Sequence, residues 1–297
     1  MIYLKCAICK DKEKLKELYP ENVDFERVND KTFSARRIPD RMHYRFVRCL
    51  KCGLIFSSPI LEPKKIIGLY SKSDFKYKTE SKYLQDTYGY YLRVILNGLN
   101  PSRVRLLDIG CGNGFFLVEA RELGIKNVFG VEPGIKSVAK APFWLRNKIK
   151  VGIFKRGYFS SPFDIISCFH TLDHVITPDK FVSDVCKSLT KKGVALFIVH
   201  DTEGLSVRLL GEKSPIFDIE HIYLFNKKNL REIFLKNGFR KVKLFDVKNV
   251  YPLSYWFRML PVPKILKNKI YHFLTITRLG ELPLSLRAGN IGVFAYK

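Results

Sequence analysis

Residues 106–117 read LLDIGCGNGFFL, and the rest of the chain can be placed around them. Val104 to Ile109 (VRLLDI) is an apolar run of the kind that forms a buried strand. Gly110, Gly112 and Gly114 follow without a gap. A helical pattern then begins, with Phe115, Phe116, Glu119, Ala120 and Leu123 on its turns and Gly124 as its stop. A glycine turn between a strand and a helix lets a ligand lie against the main chain. The first turn of the helix offers free N–H groups.

Moving outward, Asn127 to Val131, Lys150 to Phe154, Phe163 to Phe169 and Val194 to Val199 read as further strands. Thr177 and Pro178 open a helix whose apolar face is Phe181, Val182, Val185, Cys186 and Leu189, with Gly193 as its end. A helix through Leu230, Ile233 and Phe234 ends at Gly238, and the runs Val242–Val247 and Ile291–Tyr296 finish the pattern. Alternating strands and helices at this spacing predict an α/β fold with a parallel sheet covered on both faces.

The loop has the spacing GxGxG, not the GxGxxG of dinucleotide folds. Asp108 stands two residues before its first glycine and would repel a pyrophosphate, but it suits a cationic ligand. Glu132 closes the next strand, where a carboxylate can take both hydroxyls of a ribose. Together they describe a site for S-adenosylmethionine.

On these residues the chain resembles the class I S-adenosylmethionine-dependent methyltransferases over roughly residues 100–250. DIGCGNG matches the family's first motif and Glu132 its ribose-binding acid. FDIISCFHTLDHV, residues 163–175, matches its fourth-strand region. The resemblance implies a Rossmann-like sheet of seven strands. Its implied cofactor residues are Asp108, Gly110, Cys111, Gly112, Gly114, Glu132, Pro133, Phe154, Phe169 and His170. Many members hold the adenine with an Asp after the third strand. None occurs here before Asp164, so stacking on Phe154 with backbone hydrogen bonds is the expected substitute. His170 and Asp173 are expected beside the methionine part of the cofactor, and His174 is read as structural.

Seven cysteines include two CxxC pairs, Cys6/Cys9 and Cys49/Cys52. Each pair sets two thiolates on one side of a tight turn, the spacing of tetrahedral zinc. Four thiolates leave no open position, so the reading is a structural zinc site. Redox-active or merely reduced cysteines are the other readings. VRCLKCGLIFSSPIL, residues 47–61, resembles the N-terminal zinc modules of methyltransferases in deoxysugar, polysaccharide and secondary-metabolite pathways. The tyrosine-rich stretch after it (Tyr70, Tyr77, Tyr83, Tyr88, Tyr90, Tyr91) resembles their substrate lid. In those enzymes a Glu-His pair faces the substrate, which Glu220–His221 matches. The implied catalytic set is His221, Glu220 and His170, and a purely capping or packing role for His221 is the alternative. The expected organisation is a zinc-ribbon-like module at 1–58, a helical lid or linker at 59–100 and a methyltransferase domain at 101–297. That last part carries a basic, aromatic insertion at 251–285.

Composition limits the rest. The chain has 297 residues, 46% hydrophobic and 27% charged, which excludes disordered, collagen-like and disulfide-dense classes. No apolar run approaches a membrane span, and no secretory h-region opens the chain, so a cytoplasmic protein is expected. The net charge is +24, and residues 251–297 hold a single acid, Glu281. Such a surface suits a polyanion, or is simply a solvated lysine-rich surface. The stretch 251–279 mixes Trp256, Phe257, Met259 and Leu260 with Arg258, Lys264, Lys267 and Lys269. It is read either as a lid or core insertion or as a contact with an anionic membrane surface, peripheral at its inner face. The expected acceptor is an oxygen or carbon of a small-molecule, glycan-type or lipid-linked substrate. A nucleic-acid acceptor ranks behind it, because neither an Asn/Asp-Pro-Pro-aromatic segment nor a Pro-Cys pair occurs. A non-catalytic binding module is the remaining alternative.

Overall fold

The computed structural model describes residues 1–29, 33, 41–72, 80–259 and 263–297. Tyr77 and Leu260 lie outside the described residues. In chain order the strands are β1 (Leu15–Tyr19), β2 (Phe46–Cys49), β3 (Ile55–Ser57), β4 (Arg105–Ile109), β5 (Asn127–Glu132), β6 (Ile149–Val151), β7 (Phe163–Phe169), β8 (Leu189–His200), β9 (Tyr223–Leu224), β10 (Lys241–Asp246), β11 (Asn249–Pro252), β12 (Pro283–Leu286) and β13 (Asn290–Tyr296). The helices are α1 (Pro63–Lys72), α2 (Glu80–Leu96), α3 (Phe115–Glu122), α4 (Ile135–Ala139), α5 (Phe143–Arg146), α6 (Pro178–Ser188), α7 (Leu205–Leu210), α8 (Lys227–Lys236), α9 (Leu253–Met259) and α10 (Lys264–Ile276).

The central sheet has seven strands in the order β10-β13-β8-β7-β4-β5-β6. The pairs from β8 to β6 are parallel, and β13 runs antiparallel to both of its neighbours. The expected α/β sheet is therefore mixed, with its last strand slotted between β8 and β10. Alternation along each strand divides the core in two. Leu107, Ile166, Phe197 and Val293 join one cluster with α6 and α8. Leu106, Ile165, Leu196 and Phe294 join the other, beneath α2 and α3. Successive strand side chains face opposite ways, so each strand serves both layers.

Two sequence boundaries need correction. β6 ends at Val151, because Gly152 takes φ +135 and breaks the strand, so Phe154 belongs to the following loop. Gly193 does not end a helix. α6 stops at Ser188, and Leu189 already pairs with Phe163 as part of a long β8. The apolar face Phe181, Val182, Val185 and Cys186 is buried as read, whereas Leu189 belongs to the strand.

The chain leaves β4 toward β5 and β6 on one side, then returns to β7 and β8 on the other. The carboxyl ends of β4 and β7 thus flank the point where the winding reverses, where open α/β sheets bind ligands. A second, antiparallel sheet has the order β1-β2-β3-β9. Its last strand comes from residues 223–224, so the N-terminal segment is closed by the stretch directly after Glu220 and His221. Among the described residues no helix is long and apolar enough to cross a membrane.

Candidate active site

The glycine loop is tied to the end of β5 by its own backbone. Gly110 N–H and Cys111 N–H donate to Val131 O at 2.8 and 3.2 Å. Gly112 N–H donates to Glu132 Oε2 at 2.9 Å, and Gly134 N–H to Oε1 at 2.8 Å. Gly110 has φ +78, and a Cβ there would run into the Thr171 side chain. Gly114 also has φ +78, a left-handed conformation that favours glycine, and a Cβ there would meet Leu145 as well. Gly114 does not line the cavity described below.

Asp108 ends β4, is 3% exposed, and accepts from Ser167 Oγ at 2.8 Å. Burial pushes its carboxyl up to about 8. The nearby Glu132 charge adds to this and the Ser167 hydroxyl opposes it. Burial also raises Glu132, against the two backbone N–H groups that favour its anion. The Cys111 side chain is buried in the core below the loop.

These groups open on one cavity of about 600 Å³, within the usual range for small-ligand sites. Asp108, Gly110, Gly112, Glu132 and Pro133 form its floor at the ends of β4 and β5. Phe154, half-buried, lines it and stands edge-on to Phe181 at 5.8 Å. Phe169 lines it too, with its ring stacked on Tyr88 at 4.0 Å and edge-on to Phe116 at 4.8 Å. No lysine or arginine is among the described lining residues, in a chain of net charge +24.

Four histidines face this cavity. His170, with φ 47, follows β7, and His200 ends β8; their rings are 4.6 Å apart. His221 lies 4.7 Å from His200 and 5.0 Å from His174. The His221 Nδ1–H donates to Ile216 O at 2.7 Å, which leaves the lone pair on Nε2. Glu220 lines the cavity beside it, and the Tyr70 hydroxyl lies 2.8 Å from His174 Nδ1. Burial drives His174 and His200 well below the usual histidine range, so both are neutral at pH 7. The sequence reading of His174 as structural leaves out its place on the cavity wall. The sequence reading does not single out His200 or Asp218, whereas Tyr88, from the tyrosine-rich stretch, does line the cavity. His200 had one available signal, a polar residue at the carboxyl end of a strand.

Cys6, Cys9, Cys49 and Cys52 bring their sulfurs within 4.8 Å of one another. Cys6 and Cys52 sulfurs are 3.5 Å apart, a non-bonded distance, and all four are free thiols. Cys9 N–H points at Cys6 Sγ at 3.3 Å. Four gathered thiols with a backbone N–H on sulfur fit a zinc ion. The cluster is joined to the rest of the fold where Asn229 Nδ2 donates to Cys52 O at 2.8 Å. The Tyr223 hydroxyl donates to Lys5 O at 2.8 Å, and Ser57 Oγ to His221 O at 2.9 Å.

The tRNA U34 carboxymethyltransferase of Campylobacter fetus subsp. fetus is 28% identical over 168 residues, which is 52% of this chain and 58% of that protein. The enzyme of the same name from Sulfurimonas denitrificans is 23% identical over 193 residues, 62% of this chain and 61% of that one. The chain thus spans little more than half the length of these relatives. Among solved structures, a SAM-dependent methyltransferase from Archaeoglobus fulgidus superposes with a TM-score of 0.47 at 18% identity, covering 73% of this chain and 97% of that one. The profile of the family described as "Methyltransferase domain" matches residues 82–244, more than half of the chain. The chain belongs to that family and is an S-adenosylmethionine-dependent methyltransferase.

Proposed function

We propose that the protein transfers a methyl group to an oxygen or carbon of a small-molecule or glycan-type acceptor, with His221 as the base. The observation that carries this reading is the pairing, in one cavity, of a carboxyl-floored cofactor end with a cluster of four imidazoles. Bound S-adenosylmethionine supplies an electrophilic methyl group on a sulfonium. Glu132 takes the ribose hydroxyls with the lone pairs that Gly112 and Gly134 leave open. Asp108 attracts the cationic end, Gly110 and Gly112 let the cofactor lie against the main chain, and Phe154 stacks on the adenine. His170 and Phe169 line the methionine end. Glu220 and His221 face the acceptor, and His221 Nε2 removes its proton. Most of the rate comes from alignment, worth several kcal/mol.

His221→Gln keeps the size and the hydrogen bond to Ile216 but loses the base. Its kcat should fall by about 10² to 10⁴ while the cofactor Kd stays within about twofold. Full turnover in this variant, assayed with any accepted substrate, removes His221 from the mechanism.

Asp108 gives a pH signature. A cationic ligand favours the ionised carboxylate, so binding should draw its pKa down from about 8 and release a proton. The affinity ratio of S-adenosylmethionine to its neutral thioether product should therefore rise roughly tenfold between pH 6.5 and 8.5 and then level off. In the ligand-free protein the sign is opposite for stability. The raised pKa stabilises the fold at low pH, and that contribution is lost as pH climbs through about 8. Calorimetry across pH on the wild type and Asp108→Asn checks this; a flat ratio in the wild type contradicts it.

A tRNA acceptor is the second reading. The names of the curated relatives and the +24 charge favour it. The acidic and neutral lining, free of lysine and arginine among the described residues, offers no cation to pair with the carboxylate of a carboxymethyl group and suits transfer of a plain methyl group better. Methyl incorporation from labelled S-adenosylmethionine into bulk tRNA would promote this reading over the first.

A lipid-linked form of the acceptor would be met at an anionic membrane surface, the alternative to a lid or core insertion for the stretch 251–279. Phe273, Ile276 and Leu282 are 57%, 68% and 54% exposed, beside the exposed Lys269, Arg278 and Arg287. Sedimentation with vesicles rich in phosphatidylglycerol at low salt should carry the protein down, and Phe273→Ser/Ile276→Ser should reduce this severalfold. A supernatant unchanged by vesicles excludes it.

A further inference from the structure

We propose that His170, Asp173 and His200 form a second metal site, for a divalent first-row ion of the imidazole-and-carboxylate class, in the wall of the acceptor cavity. Each residue offers one donor atom, and the three atoms lie within 4.8 Å of one another. Two imidazoles and one carboxylate make a set that leaves positions open for a further ligand.

Four observations converge on these residues. Asp173 is 0% exposed, and its Oδ1 has no hydrogen-bond partner among the described residues, whereas Oδ2 accepts the His200 backbone N–H at 3.2 Å. A buried carboxylate oxygen left in that state is costly unless a cation or a proton meets it. His200 is prepared for ligation: its Nδ1 lies 3.1 Å from Asn290 Oδ1, an acceptor, which places the proton on Nδ1 and the lone pair on Nε2. Such an outer hydrogen bond is what orients metal-binding imidazoles. His170 is held at φ 47, a conformation that a non-glycine residue adopts at a cost, and this sets its ring against that of His200. Lastly, the cavity is lined by the carboxyl groups of Glu132, Asp218 and Glu220, with no lysine or arginine among its described lining, so no fixed cation opposes a metal ion there.

This site differs from the four-cysteine cluster in ligand chemistry and in access. The thiolates suit zinc and close its coordination, whereas this site opens on the cavity through His170 and His200. An acceptor hydroxyl bound there would ionise more readily, with its proton passing to His221, whose ring is 4.7 Å from that of His200. The alkoxide oxygen then forms the new O–C bond while the methyl–sulfur bond breaks and the sulfonium becomes a neutral thioether. That role rests on the methyl-transfer reading; metal binding itself does not.

The probe is Co²⁺, titrated into protein whose cysteine cluster has first been filled with one equivalent of zinc. Expected is one further equivalent of cobalt, with visible d–d bands and no thiolate-to-cobalt charge-transfer band. His200→Gln and Asp173→Asn should each lose that equivalent and retain the zinc, and His170→Gln should weaken it at least about tenfold. Thermal melts show which variants fold, and the half-buried His170→Gln and His200→Gln carry the test should the fully buried Asp173→Asn fail. No second equivalent in the wild type, or uptake that survives His170→Gln unchanged, overturns the proposal. S-adenosylmethionine binding is measured on the same preparations. Its absence alongside normal cobalt uptake would count against the methyl-transfer reading and leave the metal site standing.

Discussion

Glu132→Ala should bind S-adenosylmethionine at least about 100-fold more weakly than the wild type, the largest loss expected of any single substitution in the cofactor half of the cavity. Hydrogen bonds to a charged group are worth about 1.5–3 kcal/mol each, and a ribose presents two hydroxyls to this carboxylate. The side chain also organises the site before any ligand arrives. It is the acceptor for Gly112 N–H and Gly134 N–H, so it clamps the glycine loop to the end of β5. Removing it leaves both donors without their partner and loosens the backbone against which the cofactor would lie. Glu132→Gln retains the shape but turns one acceptor atom into a donor, so an intermediate loss is expected. Isothermal calorimetry on variants with wild-type circular dichroism makes the comparison. An affinity within threefold of wild type in Glu132→Ala would remove this residue from the cofactor site.

The second large effect is expected at the cysteine cluster. Cys49→Ser, or exhaustive chelation of the wild type, should lower the Tm by on the order of 10 °C. Structural zinc contributes many kcal/mol to folding, and a protein of this size loses roughly 2 °C per kcal/mol. The turns Cys6–Cys9 and Cys49–Cys52 are far apart in sequence and are brought together by their sulfurs, the pairing of β1 with β2 and the surrounding core. The damage should extend to the acceptor side of the cavity. Cys52 O is held by Asn229, Lys5 O by Tyr223, and His221 O by Ser57, so the cluster, β9 and the Glu220–His221 segment are packed as one body. Turnover should thus fall further than cofactor affinity, since the cofactor half of the cavity rests on β4 and β5. Scanning calorimetry with and without chelator, with metal analysis of the same samples, tests this. An unchanged Tm after complete metal removal, or zinc absent from protein purified without chelator, contradicts a structural zinc.

The sequence shows most clearly what is local. LLDIGCGNGFFL specifies a strand, a turn and a helix within a dozen residues, and the fold contains all three. Glu132 could be read from the same stretch because one parallel crossover brings it beside the loop. Seven strands could be read from apolar runs, but the reversal of β13 could not, since its direction depends on which gap is left when the chain returns from 249–286. Gly193 reads as a helix end because TKKG, residues 190–193, lacks apolar residues; pairing of Leu189 with Phe163 overrides that local preference.

On the acceptor side the sequence shows less. His170, His174, His200 and His221 come from four separate positions, and only the ordering of β7 beside β8 and the return of β9 to the N-terminal sheet gather them. Gly114 shows the reverse: a motif residue whose small size answers to Leu145, a packing neighbour thirty-one positions away.

The most direct test of the whole is a calorimetric titration of S-adenosylmethionine into the zinc-loaded protein. Expected is a one-to-one isotherm, with the ligand at about 100 times its Kd stabilising the fold by about 2.7 kcal/mol, a rise of several degrees in Tm. No heat and no rise in Tm at millimolar ligand would contradict the claim that the glycine loop and Glu132 form a cofactor site.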